Sequence, residues 1–292
     1  MFGCTKKYSG IHFVSKGVTY IDTTLDTRRP YASSIKNAAF LDETDEKSFL
    51  KAKEVLNSAF VVATLAKTDY QLIKIETPSC TEKEMEHEIL WSIQDQIPFE
   101  IDDTIVRWFD CPSPNIQKQY TFALAIDGVR FSQRLNFLSS LGCTVVDITI
   151  PELAKSALLI REAPEDHYIV FLDISEHEQG LLVTKNGDLI FSKKLPKDFL
   201  LSKDFSPEDV KTLSNIIQQT VSSLGISSNY KVVIPTYAPF ASAMADKVDS
   251  SINGSIGTFE TKEHISRRIE DQTLLCHALI ALGGIVSYVQ NS

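Results

Sequence analysis

The chain has 292 residues, 43% hydrophobic and 23% charged, a balance that suits a globular protein with a sizeable core and excludes dominant disorder. Twenty-nine basic residues against 38 acidic give a net charge of −9 and a pI of about 5.2, which opposes a broad interface with nucleic-acid phosphates. Five cysteines without a C-x-x-C pair point to neither a disulfide framework nor a zinc site, and residues 1–7 precede no apolar secretory segment, so a reducing, cytoplasmic setting is expected.

Near the N-terminus, residues 10–14 and 18–21 read as two short strands around the turn Ser15-Lys16-Gly17. A helix follows over about 44–57 with Asp45 and Glu46 in its first turn, and 59–66 and 70–75 read as a second strand pair around Lys67-Thr68-Asp69. From Thr81 the signal sharpens. Thr81-Glu82-Lys83-Glu84 is a capping box, and Met85, Ile89, Ile93 and Ile97 recur at four-residue spacing until Pro98 ends the helix. Strands over about 105–110 and 120–126, a helix over about 128–141 closed by Gly142, and a strand over 144–150 complete a β-α-β-β-α-β-like block.

After a short helix opening at Pro151, residues 168–173, 181–184 and 189–191 repeat the N-terminal strand pattern, with Asn186-Gly187 as the strongest hairpin turn in the chain. Ser206-Pro207-Glu208-Asp209 opens a helix with an N-cap, an N1 proline and an acidic first turn, carrying Val210, Leu213, Ile217 and Leu224 on one face before Gly225. Strands over 231–234 and near 256–259 precede the apolar stretch 274–289, which falls short of the roughly 20 residues of a bilayer span and reads as a buried C-terminal helix. Its Gly283-Gly284 pair reads as an allowance for tight packing. The chain thus runs twice through hairpin, helix and strand with a small block between, the layout of an α/β, two-lobed actin-like (ribonuclease H-like) fold. Lobe 1 takes residues 1–76, about 151–166 and the C-terminal helix 271–292; the inserted α/β subdomain takes 77–150 and lobe 2 takes 167–270.

The segment Leu90-Trp91-Ser92-Ile93-Gln94-Asp95-Gln96-Ile97-Pro98-Phe99-Glu100-Ile101-Asp102-Asp103, followed by Trp108-Phe109-Asp110-Cys111-Pro112, resembles the helix-to-strand segment in the inserted subdomain of the PilM/MshI family of type IV pilus assembly proteins. Leu141-Gly142, Val146-Asp147-Ile148 and Pro151-Glu152-Leu153-Ala154 are similar to the family's next signature, and Met1-Phe2-Gly3, Lys6-Lys7 and Gly10 to its start, so the likeness runs in order over about residues 1–195. It implies a cytoplasmic actin-like protein, peripheral at the inner membrane, that binds the N-terminal tail of a bitopic PilN/MshJ-like partner. Other platform components and the assembly ATPase are further partners in that picture, with no membrane span of the chain's own. FtsA and the GspL cytoplasmic domain are similar to the family, and the inserted block corresponds to its 1C subdomain.

In actin-like ATPases, two hairpin loops rich in glycine and hydroxyls bring backbone N–H groups to the phosphates, and an acid at the start of each helps to hold hydrated magnesium. The resemblance puts Gly10 and His12 in the first loop and Asp173 and Gly180 in the second. His12 stands where ATP-binding relatives have aspartate, and their Gly-Ser-Ser run is missing. Glu176 and Glu178 would each set a charge beside a triphosphate at a cost of about 4 kcal/mol, and Pro235-Thr236-Tyr237-Ala238-Pro239-Phe240 replaces the glycine pair that receives adenosine. The expectation is an MshI-like pseudo-ATPase that uses no cofactor. The alternatives are a PilM-like switch that binds ATP and magnesium, with weak or no ATPase, and a GspL-like type II secretion component. The last would carry a transmembrane helix after the lobes, where this sequence to Ser292 shows none.

By the same resemblance the partner's tail lies where the inserted subdomain meets lobe 1, on elements carrying Trp91, Gln94, Asp95, Phe99, Asp102, Asp103 and Trp108. Trp91 falls about 160° from the apolar face of its helix, either an exposed interface anchor or a side chain covered by a neighbouring subdomain. Trp108 shares a strand face with Val106 and reads as core. Glu82, Glu84, Glu86, Glu88, Asp95, Glu100, Asp102 and Asp103 suit a basic tail or form a solvated face. No histidine pairs at metal-ligand spacing, and no Gly-x-Ser-x-Gly, Cys/His motif or P-loop occurs, so neither a metal site nor hydrolase chemistry is expected.

Overall fold

Ile11 and Phe13 alternate with Gly10 and His12 along β1 (Tyr8–Val14), the period of two that gives a strand one face toward each side of its sheet. The computed structural model describes residues 8–15, 17–24, 34–112, 118–162, 167–174, 179–195, 206–227, 229–235, 255–259, 269 and 271–291. In lobe 1, β1 pairs with β2 (Gly17–Thr24) and β2 with β3 (Ser34–Asp42), while β4 (Phe60–Thr64) and β8 (Thr144–Thr149) add parallel strands, for an order β3-β2-β1-β4-β8. The outer face buries Ile11, Phe13, Val61 and Ala63 against Leu56 of α1 (Glu46–Leu56) and Leu138 of α3 (Gly128–Ser140). Asp45 caps α1 by accepting from the N–H groups of Lys47 and Ser48.

Lobe 2 repeats the plan with β9 (Tyr168–Ile174), β10 (Gln179–Lys185), β11 (Asp188–Lys194), β12 (Tyr230–Pro235) and β13 (Ser255–Phe259), in the order β11-β10-β9-β12-β13. Val170 and Leu172 face Leu213 and Ile217 of α5 (Pro207–Ser223), which starts on Ser206 as the sequence indicated. Asn186 and Gly187 hold φ of 54° and 90°, the two positive values that a type I′ hairpin requires.

The C-terminal helix α6 (Gln272–Asn291) and α4 (Pro151–Leu159) lie between the inner faces of the two sheets, where Leu279, Leu282 and Ile285 share one core with Val62, Phe171 and Val233. The expected shortfall from a bilayer span is corrected: α6 has 20 residues and is long and apolar enough to cross a membrane, yet most of it is buried inside the protein, as a core helix is. A Cβ on Gly283 would meet the Ala154 carbonyl oxygen at 2.2 Å, so this glycine lets α6 touch α4, the packing role read from the sequence.

Pairing between distant strands corrects the expected boundaries. Residues 59–66 and 70–75 are not a strand pair: β4 stays in lobe 1, whereas β5 (Tyr70–Glu76) joins β6 (Thr104–Cys111) and β7 (Tyr120–Asp127) in a separate antiparallel sheet, order β5-β7-β6. The strand expected to close the inserted subdomain is β8, at the edge of lobe 1 beside β4. The subdomain therefore starts with β5 and ends with β7, and α3 returns to lobe 1, where Leu138 and Leu141 find their core. α2 (Glu82–Ile93) covers one face of the small sheet, Ile89 and Ile93 packing on Val106, Ala123 and Ala125. The other face, with Leu72, Phe109, Phe122 and Leu124, turns toward α4 and the lobes.

Candidate functional site

Registered neighbours in a sheet point to the same side, so His12 forms one polar row with Thr19 on β2, Thr64 on β4 and Thr149 on β8. α6 closes over this row: the His277 ring meets His12 edge-on with centroids 5.3 Å apart, and its Nδ1 lies 3.5 Å from Thr19 Oγ1. His12 is buried, and its Nδ1 and the Thr64 hydroxyl have no hydrogen-bond partner among the described residues. Burial above all, then the proximity of His277 and Lys155, keeps the His12 ring neutral with a pKa well below the ordinary value.

Asp173 holds on β9 of lobe 2 the place that His12 holds on β1 of lobe 1, and α4 runs between them. That helix carries two charged side chains into the junction. Lys155 is ion-paired with Asp173, both residues being only 5% exposed. Glu152 accepts hydrogen bonds from the Lys67 ammonium and the Tyr70 hydroxyl. Burial pushes the Glu152 carboxyl up, but the Lys67 charge and the two hydrogen bonds outweigh it and hold the group below the usual range. Two ion pairs thus tie α4 to the turn after β4 on one side and to β9 on the other. Beside Lys155, a cavity of about 20 Å³ lined by Leu158, Phe171, Phe259 and Leu279 has room for roughly one water molecule.

Among the described residues of this junction, the positions that the resemblance assigns to a magnesium–nucleotide are engaged within the protein. Lys155 neutralises Asp173, and His12 presents a buried neutral ring where an acid is required. Gly10, which the resemblance places in the first loop, packs closely on α6: a Cβ there would lie 2.6 Å from the Ala281 carbonyl oxygen. Gly180 sits within β10 in register with Asp173 and Lys194, and a Cβ there would have ordinary contacts, 3.4 Å from the Lys193 oxygen. Glu176, His177, Glu178 and residues 236–240 lie outside the described residues.

The seven residues assigned to the partner do not form one surface. Phe99 and Trp108 are half-buried in the core between α2 and its sheet, Trp108 beside Val106 as its strand face indicated. Trp91 is 67% exposed on the opposite side of α2, which decides between its two readings. Gln94 and Asp95 continue α2 in the 3-10 turn Gln94–Gln96. Asp102 and Asp103 are exposed in the 3-10 turn Ile101–Asp103, whose Asp103 carbonyl lies so close to the start of α3 that a Cβ on Gly128 would come within 2.3 Å. Only this last pair stands where the subdomain meets lobe 1.

Sequence reasoning missed Lys155 and Glu152 as parts of the site, although a carboxylate and an ammonium three residues apart in an apolar helix were a legible signal. It also missed Arg134 of α3, which donates to buried Asp69 at 3.1 Å and to Glu43 at 2.9 Å and lies over the Phe13 ring.

No protein-family model matches the chain, and no curated protein matches it. Solved structures do. A chain of the PilM–PilN type IV pilus biogenesis complex matches with a TM-score of 0.65 at 16% identity, covering 97% of this chain and 98% of that one. The cytoplasmic domain of EpsL, an inner membrane component of the type II secretion system of Vibrio cholerae, matches with 0.50 at 11% identity, covering 93% of each. A Bacteroides thetaiotaomicron protein of unknown function with an actin-like ATPase fold matches with 0.49 at 10% identity, covering 88% of this chain and 94% of that one. The chain has the actin-like fold. In the actin-like frame, β1 and β9 are the central strands of the two lobes and the junction between them is where His12, Lys155 and Asp173 meet.

Proposed function

We propose that the chain is a cytoplasmic actin-like scaffold of a type IV pilus assembly platform, MSHA-like, held at the inner membrane by a bitopic PilN/MshJ-like partner and working without nucleotide turnover. The fold likeness to a chain of the PilM–PilN complex, over nearly the full length of both, supports the platform role and the PilN-like partner. The observation that carries the nucleotide-free reading is the buried Lys155–Asp173 pair: an internal ammonium occupies the carboxylate that a nucleotide's magnesium would need. The partner's N-terminal tail docks beside the contact of the 3-10 turn Ile101–Asp103 with the start of α3, where the exposed Asp102 and Asp103 face its basic residues. The likeness to cytoplasmic EpsL favours a second reading, a type II secretion component of the same architecture.

The test is a calorimetric titration of the purified protein with the N-terminal peptide of the bitopic protein encoded beside it, run without nucleotide and again with magnesium and ATP. Binding that requires ATP contradicts the scaffold reading.

A further inference from the structure

Trp91 is the most exposed large apolar side chain among the described residues. It points away from the buried Ile89 and Ile93, and α2 itself lies on the face of the small sheet opposite to the lobes. Trp91 is thus on the far side of the small sheet from α4 and the lobes. On the helical wheel Trp91 is flanked by Glu84, His87, Glu88 and Asp95, all exposed. From Glu82 to Gln96 the segment carries five carboxylates against one lysine. Two of them make their field felt at the N-terminal end of the face: Cys80 has its thiol pKa raised by burial and then by Glu88 and Glu84. Glu84 also borders an open concavity of about 590 Å³ with Pro78, Cys80, Thr81 and Gln119, so the acidic face runs into a shallow depression.

Charge decides the occupant. An anionic lipid surface is repelled by Glu84, Glu88 and Asp95 beside Trp91, and in a two-fold contact between copies of the chain the same acids would face each other. A cationic side chain gains both from the carboxylates and from the face of the indole, which attracts cations.

We propose that the outer face of α2 is a docking surface, separate from the contact of the Ile101–Asp103 turn with α3, for a basic segment of a protein partner, with Trp91 as the anchor for an arginine or lysine side chain. The platform protein then holds two partners at once, one on each side of the inserted subdomain.

The test uses the full chain and a labelled short peptide alternating arginine and leucine, followed by fluorescence anisotropy, with a glutamate–leucine peptide for comparison. The arginine peptide is expected to bind saturably and more weakly as salt rises, and the glutamate peptide not to bind. Trp91→Ala is expected to weaken binding about tenfold or more, and Glu88→Gln with Asp95→Asn to weaken it several-fold, each with an unchanged circular dichroism spectrum and unchanged binding of the bitopic partner's tail peptide. Arginine-peptide binding that is the same in Trp91→Ala overturns the proposal. So does Trp91-dependent binding to phosphatidylglycerol vesicles, or Trp91-dependent dimerisation in sedimentation, since lipid or a second copy would then be the occupant.

Discussion

Lys155 sits among apolar neighbours where an ammonium is costly unless a carboxylate faces it, and Asp173 is in the same situation from the other lobe. Removing one partner leaves the other charged and buried. Lys155→Met is therefore expected to lower stability by about 3–5 kcal/mol, and Lys155→Met with Asp173→Leu to recover most of that loss; urea unfolding midpoints check both, and a single variant as stable as its parent contradicts the account. His12 supplies a pH dependence of determined sign. Its folded pKa is depressed, so between that value and the ordinary value of about 6.5 the unfolded chain binds a proton that the folded chain does not. Stability falls as pH drops below about 6.5, with a slope of up to about 1.4 kcal/mol per pH unit from this one group. In His12→Gln the slope should be shallower, as read from urea unfolding at a series of pH values; an unchanged slope would show that His12 titrates normally in the folded state.

α4 and α6 are the elements on which the architecture turns, because they fill the space between the sheets and carry the polar contacts of the junction. Their closest approach depends on Gly283. Alanine there gains helix propensity of about 1 kcal/mol but must push the helices apart, and the expected net result is a loss of about 1–3 kcal/mol and a lower melting temperature by circular dichroism. Local elements were largely legible in the sequence: the capping box at Thr81, the N-cap and N1 proline at Ser206, the Asn186-Gly187 turn and the period of Met85, Ile89, Ile93 and Ile97 all act within a few residues. β3 was not legible. Nor was the pairing of β5 with β7 and of β4 with β8, because a strand's partner is set by which distant face needs covering and not by its own residues.

For the whole molecule, the repeated hairpin–helix–strand order was enough to indicate two lobes and an insert, and the fold comparisons agree with it. The candidate site was legible only as departures from a pattern: His12 in place of an acid showed that something had changed, but not that Lys155 from another helix neutralises Asp173 or that α6 lies against Gly10. Trp91 illustrates the converse, since its helical angle gave its direction and only the sheet beneath α2 showed that it faces away from both lobes. The central claim, a scaffold that grips its membrane partner without a nucleotide, is tested most directly by titrating the nucleotide-stripped protein with the bitopic partner's N-terminal peptide. The account predicts saturable micromolar binding with the same affinity whether magnesium and ATP are present or absent. Affinity no better than millimolar, or binding that appears only with ATP, would contradict it.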